Sequence, residues 1–209
     1  MKRNINNTEM NKSAYDAFAE KYYADFFDVW EGKEFVDEFL DCLGGKKILD
    51  LGCGNGNFAY YAMQKGFEVK GYDISTQMIA LGKKFCPELD ISVQDITSLP
   101  KEKTLFDGAI YSYSLMHLTK PQAKKSLEGL YPNLKKGAKV CIMTCKGTGE
   151  KLVAYDEYAE DKKMLFTFYE ENEIVCLLKG CGFKILSMKI KREENENVSN
   201  EDWIILAEK

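Results

Sequence analysis

The spacing of apolar residues along this chain changes near residue 46. Before that point, apolar positions recur every three or four residues, which predicts two amphipathic helices, at 12–28 and 33–43. Residues 1–11 are polar and rich in asparagine, so we expect them to be frayed. From residue 46 onward, short apolar runs alternate with helical patterns, which is typical of a parallel sheet covered by helices.

This alternating region predicts five strands, most of them joined by helices. The strands are expected at 46–51, 67–72, 89–93, 105–111 and 138–145, and the helices at 57–65, 75–85 and 121–135.

The alternation changes after the fifth strand. Residues 146–168 contain glycines and a mixed acidic and aromatic run, which we interpret as a cap or insertion. A helix at 170–179 is followed by strands at 184–191 and 202–207, which are joined by the polar loop 193–201. Because no crossover helix separates these two strands, they should pair antiparallel. The expected fold is therefore α/β and Rossmann-like: a seven-stranded, mostly parallel sheet with a terminal antiparallel hairpin and helices on both faces.

Composition narrows the classes of function. The chain has 209 residues, 45% of them hydrophobic, and a formal net charge of −4, and its basic residues cluster only near 189–192. A surface that follows nucleic-acid phosphates needs clustered Lys and Arg, so we consider nucleic acid an improbable partner. The chain lacks a bilayer-spanning run, a signal-peptide core and a Cys-x-x-Cys pair, and it has one His. We therefore expect a cytoplasmic protein with reduced thiols and neither a membrane association nor a metal site.

Residues 46–57, KKILDLGCGNGN, carry the strongest functional signal. They predict a buried strand that runs into a tight turn, where glycines at 52, 54 and 56 let a ligand approach the main chain closely. The following helix directs unpaired N–H groups towards that turn. Asp73 ends the next strand, where a carboxylate can accept from both hydroxyls of a ribose. Together these features predict a nucleotide-type cofactor.

The spacing of the glycines distinguishes between cofactors. A dinucleotide motif needs a third glycine at position 57, which is Asn57 here, so an NAD-dependent enzyme is disfavoured. Asp50 precedes the turn, which suits a cofactor with an amino-acid tail better than one with phosphates. Residues 48–56, ILDLGCGNG, resemble the first motif of the class I S-adenosylmethionine-dependent methyltransferases, and the resemblance extends from Tyr15 to Glu208.

This resemblance implies an amino-terminal helical lid at 1–45 and a methyltransferase core at 46–209, with the cap insertion at about 146–168. It implies that the glycines pass beneath the methionine moiety of S-adenosylmethionine, that Asp50 helps to hold its ammonium group and that Asp73 binds its ribose. Ile74 would pack on the adenine, and Asp95 and Ile96 would bind the adenine edge. The implied cofactor-binding residues are Tyr15, Tyr22, Asp50, Gly52, Cys53, Gly54, Asn55, Gly56, Asp73, Ile74, Met78, Gln94, Asp95, Ile96, Tyr111, Ser112 and Met116.

Some of these residues also have simpler interpretations. Asp at a strand end is a common N-cap, so Asp95 has two possible roles. Tyr15 and Tyr22 can equally form an apolar stripe that packs their helix on the sheet.

Methyl transfer requires orientation, exclusion of water and, for some acceptors, a base. His117, the one His in the chain, follows the fourth strand and is the natural base, although it can equally be structural. Tyr113 is a second catalytic candidate. Aromatic side chains that can line an acceptor site are Tyr113, Tyr155, Tyr158, Phe166, Phe168 and Tyr169. Such walls suit an uncharged or aromatic small molecule, or a cationic amine.

The predicted function is methyl transfer from S-adenosylmethionine to an O, N or S atom of a small molecule, by a monomer or homodimer. Three alternatives stay open. They are a peptide, protein or RNA substrate, an NAD-dependent oxidoreductase, and a module that binds the cofactor without catalysis.

Overall fold

A computed structural model describes residues 7–27, 32–154, 161–195 and 198–209. Its helices are α1 (Asn7–Phe26), α2 (Lys33–Asp41), α3 (Asn57–Gln64), α4 (Thr76–Phe85), α5 (Lys120–Leu130) and α6 (Glu171–Gly180). Its strands are β1 (Lys47–Leu51), β2 (Glu68–Asp73), β3 (Asp90–Val93), β4 (Phe106–Ser112), β5 (Leu134–Cys145), β6 (Gly149–Ala154), β7 (Lys163–Phe168), β8 (Lys184–Asn195) and β9 (Val198–Glu208). Short 3₁₀ helices occupy 96–98, 115–117 and 131–133.

Seven strands form one sheet in the order β3-β2-β1-β4-β5-β9-β8. The first five strands are parallel, whereas β9 is antiparallel to both β5 and β8. The predicted fold class, including its terminal antiparallel hairpin, is confirmed.

Buried strands place the core on both faces of the sheet. In β1, Ile48 packs in a cluster with Phe39 of α2 and Phe58 of α3. The next residue, Leu49, faces the opposite side and packs in a cluster with Leu127 of α5. With both faces covered, the accessible part of the sheet is the edge where the parallel strands end.

Several element boundaries differ from the prediction, including the start of β5 at Leu134 rather than 138. Helix α5 ends at Leu130 rather than 135, because Pro132 has no N–H for a further helical hydrogen bond and a 3₁₀ turn follows. Strands β8 and β9 extend through most of the predicted polar loop 193–201. Polar residues do not end these strands, since antiparallel pairing still satisfies the backbone.

The predicted fraying of residues 1–11 is wrong for residues 7–11, and residues 1–6 lie outside the described ranges. Helix α1 begins at Asn7 because side chains near its start bond to the core. The hydroxyl of Thr8 accepts from Gln122 Nε2 at 3.1 Å, and Asn11 bonds to the backbone of two residues distant in sequence.

The segment predicted as a cap or insertion contains an antiparallel hairpin of β6 and β7, in which Leu152 is opposite Leu165. Strand β7 packs against helix α1 and the 3₁₀ helix at 115–117. The division of the chain into a lid, a core and a cap stays a prediction.

Candidate functional site

A cavity of about 760 Å³ lies where strands β1, β2, β4 and β5 end. Helix α1 and the β6–β7 hairpin supply the remaining walls, through residues such as Tyr15, Tyr22, Met164 and Phe166. The cavity therefore lies at the edge of the sheet where open α/β folds bind their ligands.

The turn after β1 brings its backbone to the cavity wall. Gly52 and Gly54 both have a positive φ, 78° and 55°. A Cβ atom on Gly52 would overlap the side chain of Ser114, whose hydroxyl donates to the carbonyl of Leu51. A Cβ atom on Gly54 would meet nothing within 4 Å. Gly52 thus allows close packing against the loop after β4, while Gly54 leaves open space beside the backbone.

Asp73, at the end of β2, joins this turn to the next one. Its Oδ2 accepts from the N–H of Gly54 at 2.8 Å, and its Oδ1 accepts from the N–H of Ser75 at 2.7 Å. Burial raises the pKa of this carboxyl group despite the two backbone donors. Each oxygen keeps a further acceptor position, so the group can accept from hydroxyls of a ligand.

Asp50 is 1% exposed, and its Oδ2 has no hydrogen-bond partner among the described residues. Its pKa is raised well above the ordinary value, first by burial and then by the negative charge of Asp73. Burying a carboxylate without a counter-charge is costly, and a cationic group bound nearby offsets that cost. Asp50 and Asp73 therefore fit a ligand that carries both a positive charge and hydroxyl groups.

Asp95, at the end of β3, also lines the cavity. Its Oδ1 accepts from the N–H of Thr97 at 2.7 Å and caps the 3₁₀ helix at 96–98. The N-cap interpretation is confirmed, and binding of an adenine edge by the same residue stays a prediction.

Helix α1 is joined to the core next to the cavity. Asp16 accepts from the hydroxyl of Ser75 at 2.6 Å and from the N–H of Gln77 at 3.1 Å, at the start of α4. Tyr15 lies one residue earlier, and its hydroxyl is 2.7 Å from Nε2 of His117.

His117 is held on both sides of its ring. Its Nδ1 is 2.9 Å from the carbonyl oxygen of Leu165. Since a carbonyl oxygen only accepts, Nδ1 carries the proton and Nε2 accepts from the hydroxyl of Tyr15. Burial lowers the pKa of His117 to about 4, so the imidazole is neutral at pH 7. Nε2 is thus already bonded to Tyr15, and a proton from the cavity would reach it through the Tyr15 hydroxyl.

Most of the residues predicted from the sequence come together around this cavity. Those that line it are Tyr15, Tyr22, Asp50, Gly52, Cys53, Gly54, Asp73, Ile74, Met78, Asp95, Ile96, Ser112, Tyr113, Met116 and His117.

Four predicted cofactor-binding residues are not part of this lining: Asn55, Gly56, Gln94 and Tyr111. The side chain of Gln94 donates to the carbonyls of Asp95 and Ser98. Tyr111 is buried on the α5 side of the sheet, where its hydroxyl is 2.9 Å from that of Ser126.

Among the aromatic residues expected at an acceptor site, Tyr113, Phe166 and Phe168 line the cavity. Tyr169 instead packs in the main core. Tyr155 and Tyr158 lie outside the described residues.

The cavity also contains polar residues that the sequence did not predict, among them Asn11 and Asp202. Asn11 lies in the segment that was expected to be frayed. Asp202 is 8% exposed and lies within β9, opposite Cys145 at the end of β5. An antiparallel strand begins at the edge where its parallel neighbours end, and this rule could have identified Asp202.

Comparison with known proteins agrees with this geometry. Residues 48–137 match a family model described as a methyltransferase domain. A demethylmenaquinone methyltransferase of Paenarthrobacter aurescens is 30% identical over 110 residues, 53% of this chain and 43% of that protein. Phosphoethanolamine N-methyltransferase 1 of Zea mays is 30% identical over 176 residues, 78% of this chain and 34% of that protein. The chain thus spans less than half the length of these two curated relatives.

A solved structure of a methyltransferase from Methanosarcina mazei, described as dependent on S-adenosylmethionine, has the same fold, with a TM-score of 0.74. It is 20% identical, and the match covers 87% of this chain and 98% of that chain. Residues 48–137 thus belong to a methyltransferase domain, and the sheet around them has the fold of that solved structure.

Two further observations concern the described residues only. None of their helices is both long enough and apolar enough to cross a membrane. No group of three or more of their His, Cys, Asp or Glu side chains is arranged to hold a metal ion.

Proposed function

We propose that this chain transfers a methyl group from S-adenosylmethionine to an O, N or S atom of a small molecule. The pair of buried carboxylates beside the glycine turn, Asp50 and Asp73, carries this proposal. When bound, the cofactor supplies a methyl group on a positively charged sulfur. Asp50 would hold its ammonium group, and Asp73 would hold its ribose hydroxyls.

Asp50 also argues against NAD. A pyrophosphate carries negative charge, and a carboxylate as deeply buried as Asp50 would repel it across a medium of low dielectric constant. A dinucleotide motif needs a glycine at position 57, which is Asn57 here, and this also disfavours NAD.

The size and shape of the cavity favour a small acceptor. Its volume of about 760 Å³ lies within the range of about 300 to 1,000 Å³ that is typical of small-molecule sites. Helix α1 and the hairpin form two of its walls, which leaves less room for a folded protein or an RNA. Tyr113, Phe166 and Phe168 supply aromatic surface for an apolar ring or a cationic amine.

Residues of this chain would also remove the proton of the acceptor. An acceptor atom beside Tyr15 would lose its proton to the Tyr15 oxygen while the Tyr15 proton passes to Nε2 of His117. The imidazole would then be positively charged, and Nδ1 would keep its bond to the Leu165 carbonyl. In this scheme His117 acts as the base that the sequence predicted, with Tyr15 as its contact to the acceptor.

Isothermal titration calorimetry tests the cofactor assignment. We expect S-adenosylmethionine and its demethylated product to bind and NAD not to bind. Asp73→Lys should abolish binding of S-adenosylmethionine, because an ammonium group cannot accept from hydroxyls. Asp37→Asn is the matched control, since Asp37 bonds to Lys65 away from the cavity, and its affinity should equal that of the wild type. Binding of NAD alone, or an unchanged affinity in Asp73→Lys, would refute the assignment.

A second experiment identifies the acceptor. The purified protein is incubated with fractionated metabolites and cofactor labelled in its methyl group, and the fraction that gains label is analysed. Label in a peptide or RNA fraction instead would contradict the proposed acceptor class.

We further propose that the protein is cytoplasmic and is a monomer or homodimer.

A further inference from the structure

Asn11 of helix α1 is 5% exposed and makes two hydrogen bonds to distant backbone groups. Its Nδ2 donates to the carbonyl oxygen of His117 at 2.9 Å, and its Oδ1 accepts from the N–H of Leu165 at 2.8 Å. A backbone N–H only donates and a backbone carbonyl only accepts, so these partners allow a single orientation of the amide. Asn11 therefore joins three elements: α1, the 3₁₀ helix at 115–117, and β7.

Leu165 is bonded by two side chains. Asn11 binds its N–H, and Nδ1 of His117 binds its carbonyl. In an antiparallel ladder, the N–H and carbonyl of one residue point to the same edge of the strand. Both side chains thus occupy the edge of β7 that faces away from β6, in the place of a third strand.

The two backbone groups that Asn11 fixes decide how the ring of His117 lies. One is the carbonyl of His117 itself, and holding it constrains the backbone from which the ring projects. The other belongs to Leu165, the residue whose carbonyl requires a proton on Nδ1. With Nδ1 protonated, Nε2 is left as an acceptor 2.7 Å from the hydroxyl of Tyr15.

We propose that Asn11 is a positioning residue, which holds His117 in the orientation and the tautomer whose Nε2 accepts from Tyr15. This role deepens, and rests on, the proposed function of His117 as the base behind Tyr15. Asn11 acts through His117, and its own amide has both polar atoms engaged by backbone groups.

Because His117 is the only His in the chain, nuclear magnetic resonance reports on it without ambiguity. The 209-residue chain, labelled with ¹⁵N-histidine, is studied without any ligand, so the result does not depend on whether methyl transfer occurs. In the wild type, we expect the proton on Nδ1 and a titration midpoint below pH 5. In Asn11→Ala, we expect both tautomers and a proton affinity at least tenfold higher.

Ser13→Ala is the matched control. Ser13 lies on the same helix and accepts from Lys162, next to β7, so the variant also loses a contact between these two parts. We expect its His117 signals to match those of the wild type. A merely structural role for Asn11 would lower thermal stability in Asn11→Ala and leave the tautomer unchanged.

Two results would overturn the proposal. One is a wild-type His117 that carries its proton on Nε2. The other is a folded Asn11→Ala variant with the tautomer and titration of the wild type. Asn11→Ser, which keeps a hydroxyl at this position, replaces Asn11→Ala if circular dichroism shows that the alanine variant is unfolded, and it is judged by the same signals.

Discussion

His117 should make the stability of the protein depend on pH in a way that its replacement by Asn abolishes. Its pKa is about 4 in the folded protein, because the ring is buried, and 6.5 is its ordinary value. The folded pKa is the lower one, so its contribution to stability is complete above pH 6.5 and is lost as the pH falls towards 4. Protonation of the unfolded chain drives this loss.

The size of the effect follows from the two pKa values. Between pH 7.5 and pH 5, they correspond to a loss of about 2 kcal/mol in the free energy of unfolding. The residue His117 as a whole is half-buried, so solvent screens part of this free-energy difference. We therefore expect a loss of about 1 to 2 kcal/mol.

Urea unfolding at several pH values measures this loss. In His117→Asn the amide can still donate to the carbonyl of Leu165, but it does not titrate. Raised pKa values of Asp50 and Asp73 give a pH dependence of the opposite sign. That dependence is present in both proteins, and it cancels when the free energy of unfolding of the variant is subtracted from that of the wild type. A difference between wild type and variant that stays constant from pH 7.5 to pH 5 would refute the argument.

Three more predictions concern the glycine turn, the buried carboxylate and helix α1. Gly52→Ala should lose about 2 to 4 kcal/mol in urea unfolding, because its Cβ would overlap Ser114. Gly137 has a similar φ of 80° and open space around an added Cβ atom, so Gly137→Ala should lose only about 1 kcal/mol. Equal losses in the two variants would show that the overlap with Ser114 does not destabilise the protein. Asp50→Asn should raise the melting temperature of the ligand-free protein more at pH 8 than at pH 5, since the raised pKa makes ionisation costly as the pH rises; a gain independent of pH would contradict this. Asp16→Ala removes the link from α1 to α4, so stopped-flow dissociation of S-adenosylmethionine should be several-fold faster, and an unchanged rate would exclude this link as a barrier to exit.

Much of the fold, and many of the residues that line the cavity, could be predicted from the sequence. A strand buried on both faces must be largely apolar, as Ile48, Leu49 and Leu51 of β1 are, and its turn must be rich in glycine where the backbone meets a ligand. These requirements act on residues adjacent in sequence, so the pattern reveals them. Asp50 and Asp73 were found because each lies at a fixed place relative to a strand end.

The parts that sequence analysis missed depend on contacts between distant residues. The start of α1 is polar and looks disordered by itself, and it is ordered by bonds from Thr8 and Asn11 to groups more than 100 residues away. His117 was recognised as a candidate base, but its bonds to Tyr15 and Leu165 carry no sequence signal. The chemistry of a lone His is decided by such partners.

Helix α1 contacts both halves of the cavity through neighbouring residues. Asp16 binds the start of α4, beside the carboxylates, and Asn11 binds β7, beside the aromatic residues. The same helix thus borders both halves of the cavity, so the entropy cost of ordering it arises only once. For this reason we expect the cofactor and the methyl acceptor to bind cooperatively. Whichever of them binds first lowers the Kd of the other, and thermodynamic linkage requires the effect to be equal in either order.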